Sequence, residues 1–281
     1  MKKCLSKIDV SPILYIVVFL SLISGLFKEI IVFILILIIH ELGHITMSKI
    51  FKWKIDKISF NIYGGYITYD EEIDKPFVEE LLITIAGFLS QIIFFIISYI
   101  LFKLSIVDYK VMFLIKKYTL SIILFNLIPI IPLDGSKVLG VILNIFLPYK
   151  KTLQVLNYIS LISLIIIFSF VIYYHVLIEV SYIIIFSFLI RNIIINFYEE
   201  KYLFNKFLLQ RYMTLNTFKK KNYINGLDIN KMKKQKNNLF IVNDNVYSEK
   251  EVLFKKNLIL SNLLSIIHEK RGENSVWIFL N

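Results

Sequence analysis

The sequence predicts an all-α polytopic membrane protein of about six transmembrane helices, with a membrane-associated β-hairpin and a small cytoplasmic α+β C-terminal region. Three observations predict it. Hydrophobic residues make up 57% of the 281 positions, above the roughly 45–50% of a soluble domain. They fall in blocks close to the ~20 residues that cross a bilayer. Lys and Arg gather on one side of alternate blocks, as they do beside the cytoplasmic leaflet. This composition excludes a water-soluble enzyme. The 15% aromatic content excludes a disordered chain, and Cys4, alone in the sequence, excludes a disulfide scaffold.

The first apolar window is Ser11–Phe27, preceded by Lys2, Lys3 and Lys7. It lacks a small-residue cleavage site and a second apolar run follows at once, so it reads as a span rather than a signal peptide. The second window, Ile30–Ser48, is followed by Lys49, Lys52, Lys54 and Lys57. Next, Ile58–Tyr69 alternates β-formers around Gly64-Gly65 and reads as a hairpin with the glycines in its turn. Asp70, Glu71, Glu72 and Asp74 close it before Pro76. The remaining windows are Phe77–Phe102, Tyr118–Leu133, Leu153–Tyr174 and Val176–Tyr198. Six crossings starting inside put the basic clusters, including Lys150 and Lys151, on the cytoplasmic side with both termini. Lys103, Lys110, Lys116 and Lys117 then lie outside, against the trend.

These windows divide the chain into a transmembrane domain, 1–198, and a basic cytoplasmic C-terminal region, 199–281. The second part holds 15 of the 32 basic residues and 8 of the 21 acidic ones, which suits an anionic leaflet. No groove-reading motif is present, so no direct nucleic-acid contact is expected. Within the tail, Phe197–Thr214 reads as helix and Lys219–Lys236 as a polar, basic connector. Leu239–Val242 and Val246–Tyr247 read as short strands around Asn-Asp-Asn. Ser248 and Glu251 form a capping box opening a helix, and Ser275–Leu280 reads as a last strand. The clusters Lys219–Lys221 and Lys231–Lys236 read as solvated or lipid-facing. His175 and His268 have no ligand-spaced partner.

The chemistry concentrates in two short motifs. His40-Glu41-Leu42-Gly43-His44 ends the second span. On a helix, positions i and i+4 share a face, so both imidazoles can bind one metal with Glu41 beside them. Zinc takes His nitrogen readily, and a catalytic site uses three protein ligands with a fourth position for water. The metal lowers that water's pKa toward ~7, and a carboxylate can accept its proton. The motif follows the apolar run Ile31–Ile39, where each ionisable side chain costs about 2.5–3.5 kcal/mol. Three such groups at that depth need a chemical reason.

The second motif is Asn126-Leu127-Ile128-Pro129-Ile130-Ile131-Pro132-Leu133-Asp134-Gly135. Asp134 is the only carboxylate between Asp108 and Glu179. Pro129 and Pro132 break the helix, which is tolerable at that depth only inside protein or a cavity. In the six-span reading the second and fourth spans both run inward, so Asp134 and the histidines reach a similar depth and a metal can bridge them.

Together these motifs resemble the site-2 protease family of intramembrane zinc metalloproteases, over residues 10–200. The resemblance implies Zn2+ held by His40, His44 and Asp134, with Glu41 as general base. It also implies that the Gly64-Gly65 hairpin is the family's membrane-dipping β element, offering a strand edge to an extended substrate. Asn126 matches the Asn that opens the family's second motif, and either hydrogen-bonds substrate backbone or ties two helices together. Ala86-Gly87-Phe88-Leu89-Ser90-Gln91 is similar to the family's third-span pattern, with Phe88 where Pro is frequent. Gln91 reads as helix-packing glue.

A span before the His-Glu motif and no inserted PDZ domain make the chain more like the stage IV sporulation protein FB branch. That branch implies a membrane-associated protein substrate, a pro-sigma factor cleaved during sporulation, and a membrane-protein inhibitor or regulator. Its frequent nucleotide-sensing CBS module has no clear signature in the tail. The function expected is an intramembrane zinc endopeptidase. Its rivals are a transition-metal transporter and a catalytically inactive scaffold of the same fold.

Overall fold

The computed structural model describes residues 8–10, 19, 23, 25, 27–61, 64–69, 74–173, 180–213 and 218–255. Most of the first window, Cys4, the acidic run 70–72, His175, His268 and the expected strand 275–280 lie outside these residues.

Among the described residues six helices carry the apolar part: α1 (Phe27–Ile50), α2 (Phe77–Lys103), α3 (Tyr109–Leu127), α4 (Asp134–Phe146), α5 (Tyr149–Tyr173) and α6 (Val180–Met213). Runs of Ile, Phe and Val favour strands in water. In hydrocarbon the backbone must pair with itself, and helix is what one segment can do alone. Among the described residues α1, α2 and α5 are long and apolar enough to cross a membrane. Their outward faces expose Ile92, Ile93, Ile96 and Ile97 on α2 and Ile162, Ile165 and Ile166 on α5. So large an apolar surface suits lipid.

α1 packs on α2 and α3, α2 also on α4, and α5 on α6. Three boundaries differ from the sequence expectation. α3 starts at Tyr109, where the Asp108 carboxylate accepts the Lys110 N–H, so Lys116 and Lys117 lie inside a helix rather than in a loop. It stops at Leu127, two residues before Pro129. α4 occupies a stretch given to no window, because only 13 residues separate its ends. α6 runs without a break through 198–199, since no Gly or Pro falls between Val180 and Met213.

The hairpin is present as β2 (Ile55–Asn61) and β3 (Gly64–Tyr69), with β1 (Ile8–Val10) parallel to the other side of β2. Its register corrects the expected turn. Asn61 pairs with Gly64 and Phe60 with Gly65, so both glycines open the returning strand. Cross-strand pairing, reaching back to Ile55, sets this register, and the local Gly-Gly signal does not.

The tail folds on a second sheet. β4 (Lys221–Asn225) is parallel to β5 (Asn237–Val242), which pairs antiparallel with β6 (Asn245–Ser248) before α7 (Glu249–Lys255). Asn243 and Asp244 both have positive φ, 48° and 63°, as a two-residue hairpin turn requires. The capping box forms as expected. Ser248 N–H donates to Glu251 Oε2 at 2.8 Å, and Glu251 N–H to Ser248 Oγ at 3.4 Å. The expected connector Lys219–Lys236 instead contains β4 and a 3₁₀ turn, Ile229–Lys231.

This sheet shares a core with the helix ends. Phe207, Phe240 and Met232 are fully buried among Tyr149, Leu153, Phe204, Ile224 and Leu253. Arg211 on α6 anchors the same region. It donates to Asp74 Oδ2 at 2.7 Å, to both Glu249 oxygens and to the Lys236 carbonyl. Asp74 also accepts the Gln235 N–H at 2.8 Å, and Lys234 donates to Glu80 at 2.6 Å. The tail is therefore tied to the segment leading from the hairpin into α2. Removing one partner of a buried ion pair leaves the other charged groups stranded, which costs about 3–5 kcal/mol. Arg211→Ala is expected to loosen the tail by that order, read as faster proteolytic release of residues beyond 213 while α1–α5 stay protected. Equal protease resistance would show that the network adds nothing to docking.

Candidate metal centre

α1 places His40, Glu41 and His44 on consecutive turns, and all three are buried. Burial here needs α2 very close, and two glycines permit it. A Cβ on Gly43 would stand 2.3 Å from the Ala86 carbonyl oxygen, and one on Gly87 2.4 Å from His44 Nε2. Ser90 Oγ donates across the contact to the Ile39 carbonyl at 2.8 Å.

α2 then fixes both imidazoles. His44 Nδ1 lies 2.7 Å from the Ile83 carbonyl, an acceptor only, so Nδ1 carries the proton. His40 Nδ1 lies 3.1 Å from Gln91 Oε1 and donates in the same way. Phe88 sets its ring edge-on to His40 at 5.7 Å, and α2 runs on through it. With Nδ1 protonated, each Nε2 presents a lone pair.

Asp134 arrives from the broken segment before α4. Ile130 is fully buried, and the Ile131 N–H donates to Ser160 Oγ on α5 at 3.2 Å. Gly135 is required because its Cβ would stand 2.2 Å from the Leu127 carbonyl oxygen. The carboxylate then meets the histidines, with Oδ2 at 3.0 Å from His40 Nε2 and 3.1 Å from His44 Nε2. The two Nε2 atoms are 3.1 Å apart. Lys137 Nζ donates to the other oxygen, Oδ1, at 2.8 Å.

Three lone-pair atoms thus face one another with their own protons turned away, an arrangement that repels itself unless a cation stands between them. Zinc bonds of about 2.0–2.2 Å at tetrahedral angles put ligand atoms about 3.3–3.6 Å apart, a few tenths of an ångström beyond the 3.0–3.1 Å seen. The donor set therefore fits zinc. Among the described residues, His40, His44 and Asp134 are the group able to hold a metal ion.

Glu41, 5% exposed, has no hydrogen-bond partner among the described residues. The hairpin reaches α1 one turn past His44, where the Tyr69 and Ser48 hydroxyls are 2.9 Å apart. Burial pushes the Tyr69 hydroxyl up from its ordinary pKa, against the opposing bond from Ser48. Asn126 is half-buried near the end of α3 and hydrogen-bonds none of the three donors. Gly64 and Gly65 lie at the far end of β3 from Tyr69.

Sequence reading missed Gly43, Gly87 and Lys137 as parts of the site, and Gln91, expected only to pack helices, orients His40. The signals were there. Glycine inside a helix costs about 1 kcal/mol relative to Ala, and an amide in an apolar span needs a partner.

The profile of "Peptidase family M50" matches residues 28–118. Stage IV sporulation protein FB of Bacillus subtilis is 31% identical over 206 residues, 73% of this chain and 71% of that protein. Zinc metalloprotease MJ0392 of Methanocaldococcus jannaschii is 32% identical over 158 residues, 53% of this chain and 45% of its own length. A solved structure, the site-2 protease from Methanocaldococcus jannaschii, shares the fold. Its TM-score is 0.52 at 24% identity, over 66% of this chain and 89% of that one. With His40 and His44 of the zinc-fitting donor set inside the matched residues 28–118, and a 31% identical relative covered over 71% of its length, the chain belongs to peptidase family M50 and is a zinc metalloprotease.

Proposed function

We propose that the chain is an intramembrane endopeptidase that hydrolyses a peptide bond in or near the membrane segment of a substrate protein. One observation carries the reading: His40, His44 and Asp134 converge from α1 and α4 beside a buried, unpaired Glu41. His40, His44 and Asp134 hold the zinc, which when bound polarises the peptide carbonyl and makes water acidic enough to give up a proton near neutral pH. Glu41 takes that proton as water attacks, and hands it to the leaving amine. Gln91 and the Ile83 carbonyl keep the imidazoles in the tautomer that presents Nε2.

The edge of β3, including Gly64 and Gly65, receives the substrate as an extended strand, because an unpaired edge offers N–H and C=O groups. Asn126 hydrogen-bonds the same segment. About six helices cross the bilayer with both termini cytoplasmic, and the chain divides into 1–198 and 199–281, the second part packing its sheet against α5 and its own end of α6. The similarity to stage IV sporulation protein FB supports a membrane-associated protein substrate, with a pro-sigma factor in a sporulating cell as the first to try. A transporter would spread its ligands along a path, whereas the described residues gather them in one cluster.

The test is metal content in detergent-purified protein. Wild type is expected to hold about one zinc per chain, and His44→Ala and Asp134→Ala to lose it or bind it much more weakly. Zinc surviving Asp134→Ala would remove Asp134 from the ligand set.

A further inference from the structure

Asp134 has two oxygens and they are treated differently. Oδ2 faces both imidazole Nε2 atoms, while Oδ1 accepts one hydrogen bond, from Lys137 Nζ at 2.8 Å. Asp134 opens α4, and Lys137 sits one turn later on the same face, the spacing at which helical side chains meet. Asp134 gives neither oxygen to the backbone N–H groups of its own first turn. Ser136 Oγ, two residues on, turns back to the Leu133 carbonyl at 2.7 Å. The carboxylate torsion is broad and roughly two-fold, so this one bond decides which oxygen points where. The Lys137 side chain is 56% exposed. Packing does not impose its position, and the attraction to Oδ1 does.

We infer that Lys137 is a positioning residue, whose ammonium group holds Oδ1 so that Asp134 offers the metal a single oxygen. The inference rests on the ligand assignment above. Monodentate binding keeps the protein ligands at three and a fourth position open, the condition for a catalytic site. A free Oδ1 would swing in as a second oxygen ligand or let the carboxylate turn away from the imidazoles.

Simple electrostatics predicts the opposite sign. A fixed positive charge beside a divalent cation repels it, so deleting that charge alone would tighten binding. The orientation role predicts weaker binding, since removing such partners typically costs about 10–100-fold in metal affinity.

The experiment measures zinc affinity of the full-length detergent-solubilised protein by competition with a chelator, and the visible spectrum of the cobalt(II)-loaded form, whose intensity falls when four-coordination is lost. Lys137→Met is expected to bind zinc about 10–100-fold more weakly with a weaker cobalt band, and Lys137→Arg, which keeps a cationic donor, to restore both. Lys137→Gln, with a neutral N–H donor of similar length, should fall between and serves if the Met variant does not fold. Unchanged or tighter zinc binding in Lys137→Met, with the wild-type cobalt spectrum, overturns the role of Lys137. Zinc absent from the wild type overturns the ligand assignment itself, a distinct failure.

Discussion

Glu41→Gln is expected to retain zinc at the wild-type stoichiometry and to lose about 10²–10⁴-fold in cleavage, the usual worth of a positioned general base. The two side chains have nearly the same shape, so the substitution leaves the packing of α1 intact and removes only the ability to take a proton. A carboxylate 5% exposed with no hydrogen-bond partner among the described residues is costly to keep in an apolar span. It contributes nothing to holding the three donors, because Gln91, Ile83 and Lys137 do that. The check is co-expression with a candidate membrane-associated substrate, scored for a size shift, alongside zinc content of the purified variant. Cleavage at the wild-type rate would remove Glu41 from the proton transfer. Loss of zinc together with cleavage would make Glu41 part of the ligand shell instead.

The legible parts of the molecule are those whose signal is local or chemically extreme. His40, Glu41 and His44 could be read because helix geometry alone brings i and i+4 together. Asp134 could be read because it is the lone carboxylate of a long apolar stretch and follows two prolines. The hairpin was legible as a pair of strands, but its turn was misplaced, since register depends on pairing from Asn61 back to Ile55. α4 was missed because its buried positions, Asp134, Ser136, Gly140, Val141 and Asn144, are mostly small or polar and make no apolar stripe. β4 was missed because only Ile224 of its five residues is buried and its partner β5 lies beyond a 3₁₀ turn. The site was thus readable in its ligands and unreadable in what orients them, since Gln91 and Lys137 acquire meaning only when α2 and α4 reach α1.

Gly87→Ala gives the sharpest test of the contacts that orient the ligands, and it is expected to abolish both zinc binding and cleavage. Intrinsic helix propensity argues the other way, because Ala in a helix interior is favoured over Gly by about 1 kcal/mol. Space decides. The new Cβ would stand 2.4 Å from His44 Nε2, 2.5 Å from His44 Cε1 and 2.7 Å from His40 Cε1. Neither ring can step aside, because His44 Nδ1 is fixed on the Ile83 carbonyl and His40 Nδ1 on Gln91, both on the same helix as the intruding methyl. Either α2 retreats and takes those two acceptors with it, or the imidazoles turn and the three donors separate. Both routes break the cluster, so zinc affinity should fall by at least the 10–100-fold typical of lost supporting contacts. Gly140→Ala is the control. Its Cβ would meet only the Leu156 Cδ1 methyl at 3.1 Å, the tip of a side chain that can rotate, and zinc content there should stay near wild type. Zinc retained in Gly87→Ala would mean that α1 and α2 are held apart by more than a methyl group, and the imidazole orientation would then have to come from the metal rather than from the fold.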